Sequence, residues 1–138
     1  MTNSLNINVK ISYLHAERLA KTTPPKLGVN IQISFPSEVP RWGDAWAYMP
    51  FVFNLSTSPP AVTVTLRGYA EIKGEKKEIE KLRKEAGKGK FPSQIVQLVT
   101  SYTMFEAMLL MRELGFPPIM PIPQPGQTKP TTGPVGPL

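Results

Sequence analysis

Leu5, Ile7, Val9, Ile11 and Tyr13 are separated by Asn6, Asn8, Lys10 and Ser12. A period of two over nine residues predicts a half-buried strand with one apolar and one polar face. Residues 15–26 are polar and end in Thr22-Thr23-Pro24-Pro25, which reads as a loop carrying His15. Alternation resumes at Leu27, Val29, Ile31, Ile33 and Phe35, and Pro36 and Pro40 close this second strand. Residues 37–47 form a connection containing Arg41, Trp42, Gly43, Asp44 and Trp46. A third strand over 48–57 puts Phe51, Phe53 and Leu55 on one face, and Ser58-Pro59-Pro60 turns the chain. A fourth, over 61–72, sets Val62, Val64 and Leu66 against Thr63, Thr65 and Arg67. Gly68 interrupts it, which suggests a bend or bulge.

The period then changes. Ile79, Leu82 and Ala86 recur at helical spacing in a stretch rich in Glu and Lys, and Gly87 and Gly89 stop it. Pro92-Ser93 opens a second helix over 93–114, too long for a strand. Ile95, Leu98, Val99, Tyr102, Phe105 and Leu109 form one stripe, while Val96, Met104, Ala107, Met108, Leu110, Met111 and Leu114 cover much of the rest. A helix apolar on most sides needs covering on most sides. One sheet covers one side, so a second copy of the chain is expected on the other, with Tyr102, Phe105 and Leu109 as the candidate oligomer interface. Four strands followed by two helices predict an α+β fold, with a four-stranded antiparallel sheet and a short and a long helix packed on one face.

The chain has 138 residues, enough for one domain. Of its 16 prolines, eight lie in the last 22 residues, so 1–123 reads as the domain and 124–138 as a flexible Pro-rich tail with polyproline II bias. No run of about 18 apolar residues predicts a membrane span. The first residues lack the basic-then-apolar order of a signal peptide, and there is no Cys, so a cytoplasmic setting is expected.

Val62-Thr63-Val64-Thr65-Leu66-Arg67-Gly68-Tyr69-Ala70-Glu71-Ile72-Lys73-Gly74 resembles the last strand of the SecB export-chaperone family, a long strand with an internal glycine and an Ile-x-Gly exit. The short helix 75–86, the Phe91-Pro92 junction, the long helix and the ending Gly115-Phe116-Pro117-Pro118-Ile119-Met120-Pro121-Ile122-Pro123 also resemble it, so the likeness spans about 62–123. It implies a four-stranded antiparallel sheet with two helices, a dimer or tetramer, and ATP-independent binding of unfolded polypeptides in apolar surface grooves. Familiar members are acidic and engage the SecA motor through that charge. This chain carries 16 Lys and Arg against 10 Asp and Glu, so SecA docking is not carried over.

Catalytic chemistry has little to stand on. His15 is the sole histidine and Asp44 the sole aspartate; no carboxylate pair has metal-ligand spacing, and no cofactor is implied. Gly87-Lys88-Gly89-Lys90 lacks the spacing of a phosphate loop. Two features point to binding. Trp42, Trp46 and Tyr48 cluster around Arg41, and with the adaptable Met104 and Met108 they form a candidate surface for apolar clients. Residues 73–90 carry a net charge of +4, with Lys76, Lys77, Lys81, Lys84, Lys88 and Lys90 as a candidate basic patch. A chaperone or interaction module and a nucleic-acid- or ribonucleoprotein-associated protein both remain open. So does a plain solvated helix face with i,i+4 ion pairs for the lysines.

Overall fold

The computed structural model describes residues 5–117; the expected domain boundary at 123 and the Pro-rich tail 124–138 lie outside them. Two long strands carry the core, β4 (Trp46–Ser58) and β5 (Val62–Lys73). Ala47, Met49, Phe51, Phe53 and Leu55 of the first face the same way as Val62, Val64, Leu66, Ala70 and Ile72 of the second, and all are buried. The residues between them point to the other side, as the two-residue pleat requires. β1 (Asn6–Arg18) pairs with β5 and β2 (Gly28–Ser34) with β4, all antiparallel, so the order is β1-β5-β4-β2. A two-residue strand, β3 (Arg41–Trp42), also pairs with β4. α1 (Lys76–Gly87) and α2 (Ser93–Glu113) cover one face.

The α+β arrangement therefore has the expected strands and helices, with three local corrections. First, β1 runs on through His15 to Arg18, so His15 is a strand residue and not part of a loop. Its exposed ring lies 3.5 Å from Glu17 on the same face. Pairing with Val62, Val64 and Leu66 outweighs the polar composition of this stretch. Second, the irregularity opposite Gly68 lies in β1, where the register shifts between Ile11 and Tyr13. A Cβ on Gly68 would overlap the Lys10 carbonyl oxygen and stand 2.9 Å from Ile11 Cα and from Phe51 Cζ, so only glycine permits this approach. The shift reverses the faces of β1. Leu14 joins Leu66 on the helix side, and Tyr13 moves to the open side beneath the Arg67 guanidinium, 4.6 Å from its ring centre. Third, residues 41–48 form a small hairpin rather than a connection. The Gly43 amide donates to the Trp46 carbonyl at 2.8 Å, and the indole of Trp46 lies where a Gly43 side chain would be.

The helices sit on two halves of one core. Ile79 and Leu82 of α1, with Ile95 and Val99 of α2, cover Ala47, Met49, Phe51, Ala70 and Ile72. Further along, Met104, Ala107 and Met111 cover Phe53, Leu55, Val64 and Leu66. α2 ends in a Schellman turn: Gly115, at φ 86°, donates to the Arg112 carbonyl, and Phe116 donates to that of Met111 at 2.9 Å. That turn returns Phe116 into the core, where it is 2% exposed.

Candidate functional site

α2 turns Ile95, Val99, Thr103, Met104, Ala107 and Met111 toward the sheet, all buried. Its other side is also apolar. Leu98, Tyr102 and Phe105 are exposed by 41, 39 and 57%, and Leu109 is half-buried. Their spacing of four, three and four residues is that of a seam between paired helices. Thr103 enters the core because its hydroxyl donates back to the Val99 carbonyl at 2.8 Å.

Beside this stripe lies β1, at the edge of the sheet. Over its 13 residues, the backbone groups directed away from β5 have no strand partner among the described residues. Such an edge is a template for another extended chain. Between edge and helix runs a groove of about 400 Å³, lined by Ile7, Asn8 and Val9 from the strand and Leu98, Ser101 and Tyr102 from the helix. Leu14, on the helix side of β1 and about half exposed, continues the apolar surface along the strand. A backbone template beside an apolar trough can take an extended polypeptide, with main-chain hydrogen bonds for affinity and alternate side chains in the trough.

The residues singled out from the sequence do not form one surface. Trp42 is half-buried on the helix side, 6.0 Å from the Arg83 guanidinium, whereas Trp46 and Tyr48 lie on the open side of the sheet. Met104 is 7% exposed within the core, so it is corrected from surface candidate to packing residue; Met108 is half-buried. Tyr102 and Phe105 are exposed, with Leu109 beside them. Lys76, Lys77, Lys81, Lys84, Lys88 and Lys90 are all exposed, and among the described residues none comes within 4.0 Å of a carboxylate, so the expected i,i+4 pairs are not formed.

Tyr48, Tyr69 and Trp46 meet on the open side. Their ring centres are 5.1 Å apart for the tyrosines and 5.0 Å apart for Trp46 and Tyr48. The Tyr48 hydroxyl donates to Glu71 at 3.2 Å, and Lys10 reaches the same carboxylate at 3.4 Å. Desolvation pushes the Glu71 pKa up, but the Tyr48 hydroxyl, the Lys10 ammonium and the charge of Lys73 outweigh it and hold it below the ordinary glutamate value. The hydrogen bond to Glu71, then its charge, raise the Tyr48 phenol.

Arg18 escaped the sequence reading. It donates to the carbonyls of Ala20 at 2.7 Å, Leu114 at 2.7 Å and Lys21 at 3.0 Å, and lies 4.4 Å from the Phe116 ring centre. A cation on the last carbonyls of α2 favours the helix dipole and ties the end of β1 to the end of that helix. The contact to Leu114 spans 96 residues, and no local pattern announces it. Among the described residues, no three His, Asp or Glu side chains gather in a way that could hold a metal ion, and no helix is long and apolar enough to cross a membrane.

No protein-family model and no curated protein sequence matches the chain significantly. Its structure is similar to that of the SecB-like chaperone Rv1957 of Mycobacterium tuberculosis, solved in complex with a ChAD peptide from the Rv1956 HigA1 antitoxin. The TM-score is 0.63 with 13% identity, over 88% of this chain and 91% of that one. The likeness is one of fold.

Proposed function

We propose that the protein is a cytoplasmic, non-enzymatic, ATP-independent polypeptide-binding module of SecB-like type, acting as a homo-oligomer. The observation that carries this reading is the apolar groove between the free edge of β1 and the exposed side of α2. The helix stripe around Phe105 joins copies of the chain, and the groove beside Ile7, Val9 and Leu98 takes extended apolar segments of other polypeptides. The structural likeness to a chaperone solved with a bound peptide supports the reading.

The test is light scattering from an aggregating, chemically unfolded reporter protein in the absence of nucleotide. Equimolar protein is expected to slow aggregation, and Leu98→Glu, which puts a charge into the groove wall, is expected to remove the effect while the fold is retained by circular dichroism. If the wild-type chain leaves the aggregation rate unchanged, the reading fails.

A further inference from the structure

The side of the sheet away from the helices differs chemically from the groove. The register lays its side chains out in rows. Lys73 lies beside Trp46, and Glu71 lies between Asn8 and Tyr48, with Arg41 beyond. Next come Tyr69 beside Lys10, then Tyr13 beside Arg67. Beyond that row, the same face carries Thr65, Asn54 and Thr63, and along β1 His15 and the second acid of the face, Glu17, which lie 3.5 Å apart. The aromatics and cations thus occupy one half of the face.

These rings do not build a conventional apolar patch. Trp46, Tyr48 and Tyr69 touch in sequence and form one continuous platform. Tyr13 extends it under the flat guanidinium of Arg67. Glu71 is the acid among these rows, and it is already held by Lys10 and the Tyr48 hydroxyl. Among the described residues, Arg41, Arg67 and Lys73 have no carboxylate within 4.0 Å. The charge complement of this platform is therefore a polyanion, and its flat faces suit a polyanion whose monomers have π-faces. Single-stranded nucleic acid has both properties, stacking on aromatic side chains while cations follow its phosphates. A duplex keeps its base faces enclosed. Sheets with helices behind them and aromatics in front are a recurrent way to splay single-stranded bases.

We propose that the helix-free face of the sheet, centred on Trp46, Tyr48 and Tyr69 and flanked by Arg41, Arg67 and Lys73, binds single-stranded nucleic acid. This site is independent of the groove beside β1. It also differs from the exposed lysines of α1, which is packed on the opposite face.

The test is fluorescence anisotropy with labelled oligo-dT and oligo-rU of about 20 nucleotides. The two arms tell DNA from RNA, and a duplex of equal length serves as the contrast. Three phosphate contacts give a salt slope of about −2 on a single strand, so a fourfold rise in salt should weaken binding by about 15- to 20-fold. Tyr69→Ala should weaken it by about 5- to 150-fold, the range for losing one stacked base, while Tyr69→Phe should bind as wild type. The exposed double reversal R67E/K73E, checked for folding by its melting curve, should reduce affinity at least as much as Tyr69→Ala. K77E/K81E/K84E on α1 should leave it unchanged. Absence of binding at about 50 μM protein in low salt would overturn the proposal. So would sensitivity to the α1 variant alone, or tighter binding of an acidic polypeptide to this same face.

Discussion

Phe105 offers the sharpest test of the outward stripe of α2. It leaves 57% of its surface in solvent in the isolated chain. An aromatic side chain of about 200 Å² thus has roughly 115 Å² free to be covered by a partner. At about 25 cal/mol per Å², that is close to 3 kcal/mol from each copy. A two-fold contact uses the residue twice. Alanine keeps part of the covered area, and the interface can close partly over the gap. Even so, Phe105→Ala should cost about 2 kcal/mol or more in association, near thirtyfold in Kd. The covered remainder of the ring contributes to the fold as well, so a melting temperature would mix the two effects. Sedimentation or light scattering over a dilution series separates them. The wild-type chain is expected to be at least dimeric at micromolar concentration, and the variant to dissociate at roughly thirtyfold higher concentration. A wild-type monomer at these concentrations, or a variant with an unshifted dilution curve, refutes the reasoning.

Arg18→Ala removes three hydrogen bonds from a charged donor and its stacking on Phe116; it should destabilise by about 3 kcal/mol. For a chain of this length that lowers Tm by roughly 10 °C, and Arg18→Lys, without a planar fork, should recover little of it. Thr57 is 7% exposed, and its hydroxyl oxygen accepts from the amides of Ala61 and Val62 at 2.8 and 3.2 Å. Thr57→Val leaves both donors unpaired at the β4–β5 turn, and chemical denaturation should show a loss of about 2–4 kcal/mol. The pair on the open face sets two limits in pH. Glu71 is held below the ordinary value of about 4.3, so its stabilising contribution is complete above that pH and is lost as pH falls through the lowered value. Tyr48 is raised, so its contribution is complete below about 10 and is lost as pH rises through the raised value. Urea midpoints measured against pH should fall on both sides, and Glu71→Gln should flatten both limbs; an unaltered acid limb in that variant would count against the assignment.

Where periodicity is uninterrupted, the fold is legible in the sequence. β2, β4 and β5 fall within two residues of where alternation puts them, because each buries one full face. Failures come where a single backbone event changes parity. The extra residue near Ser12 carries Tyr13 from the expected core stripe to the open face, and nothing but Gly68 on the partner strand hints at it. Trp42 and Trp46 stand four residues apart, a spacing that on one strand would put them on one side. The turn at Gly43 intervenes, so Trp42 pairs with buried Ala47 while Trp46 faces outward. The aromatic platform was half legible for the same reason. Trp46 and Tyr48 are neighbours in sequence, but Tyr69, Lys10 and Arg67 join them only through cross-strand register.

α2 is a different case, because a helix apolar on most sides has no broad polar face to show which side is inward. Ile95, Leu98, Val99, Tyr102, Phe105 and Leu109 read as one stripe, but the sheet takes Ile95 and Val99 and leaves Leu98, Tyr102 and Phe105 outside. Hydrophobicity alone would bury Phe105 ahead of Thr103. The fold does the reverse, with Thr103 fully buried and Phe105 more exposed than any other residue of the helix's two apolar stripes. For an isolated chain that exchange is unfavourable by the apolar area Phe105 leaves in water. It becomes favourable once a second surface covers the outward side. The misplaced phenylalanine and the free edge of β1 border the same side of the molecule, so a second copy on the one and an extended client on the other leave neither in water.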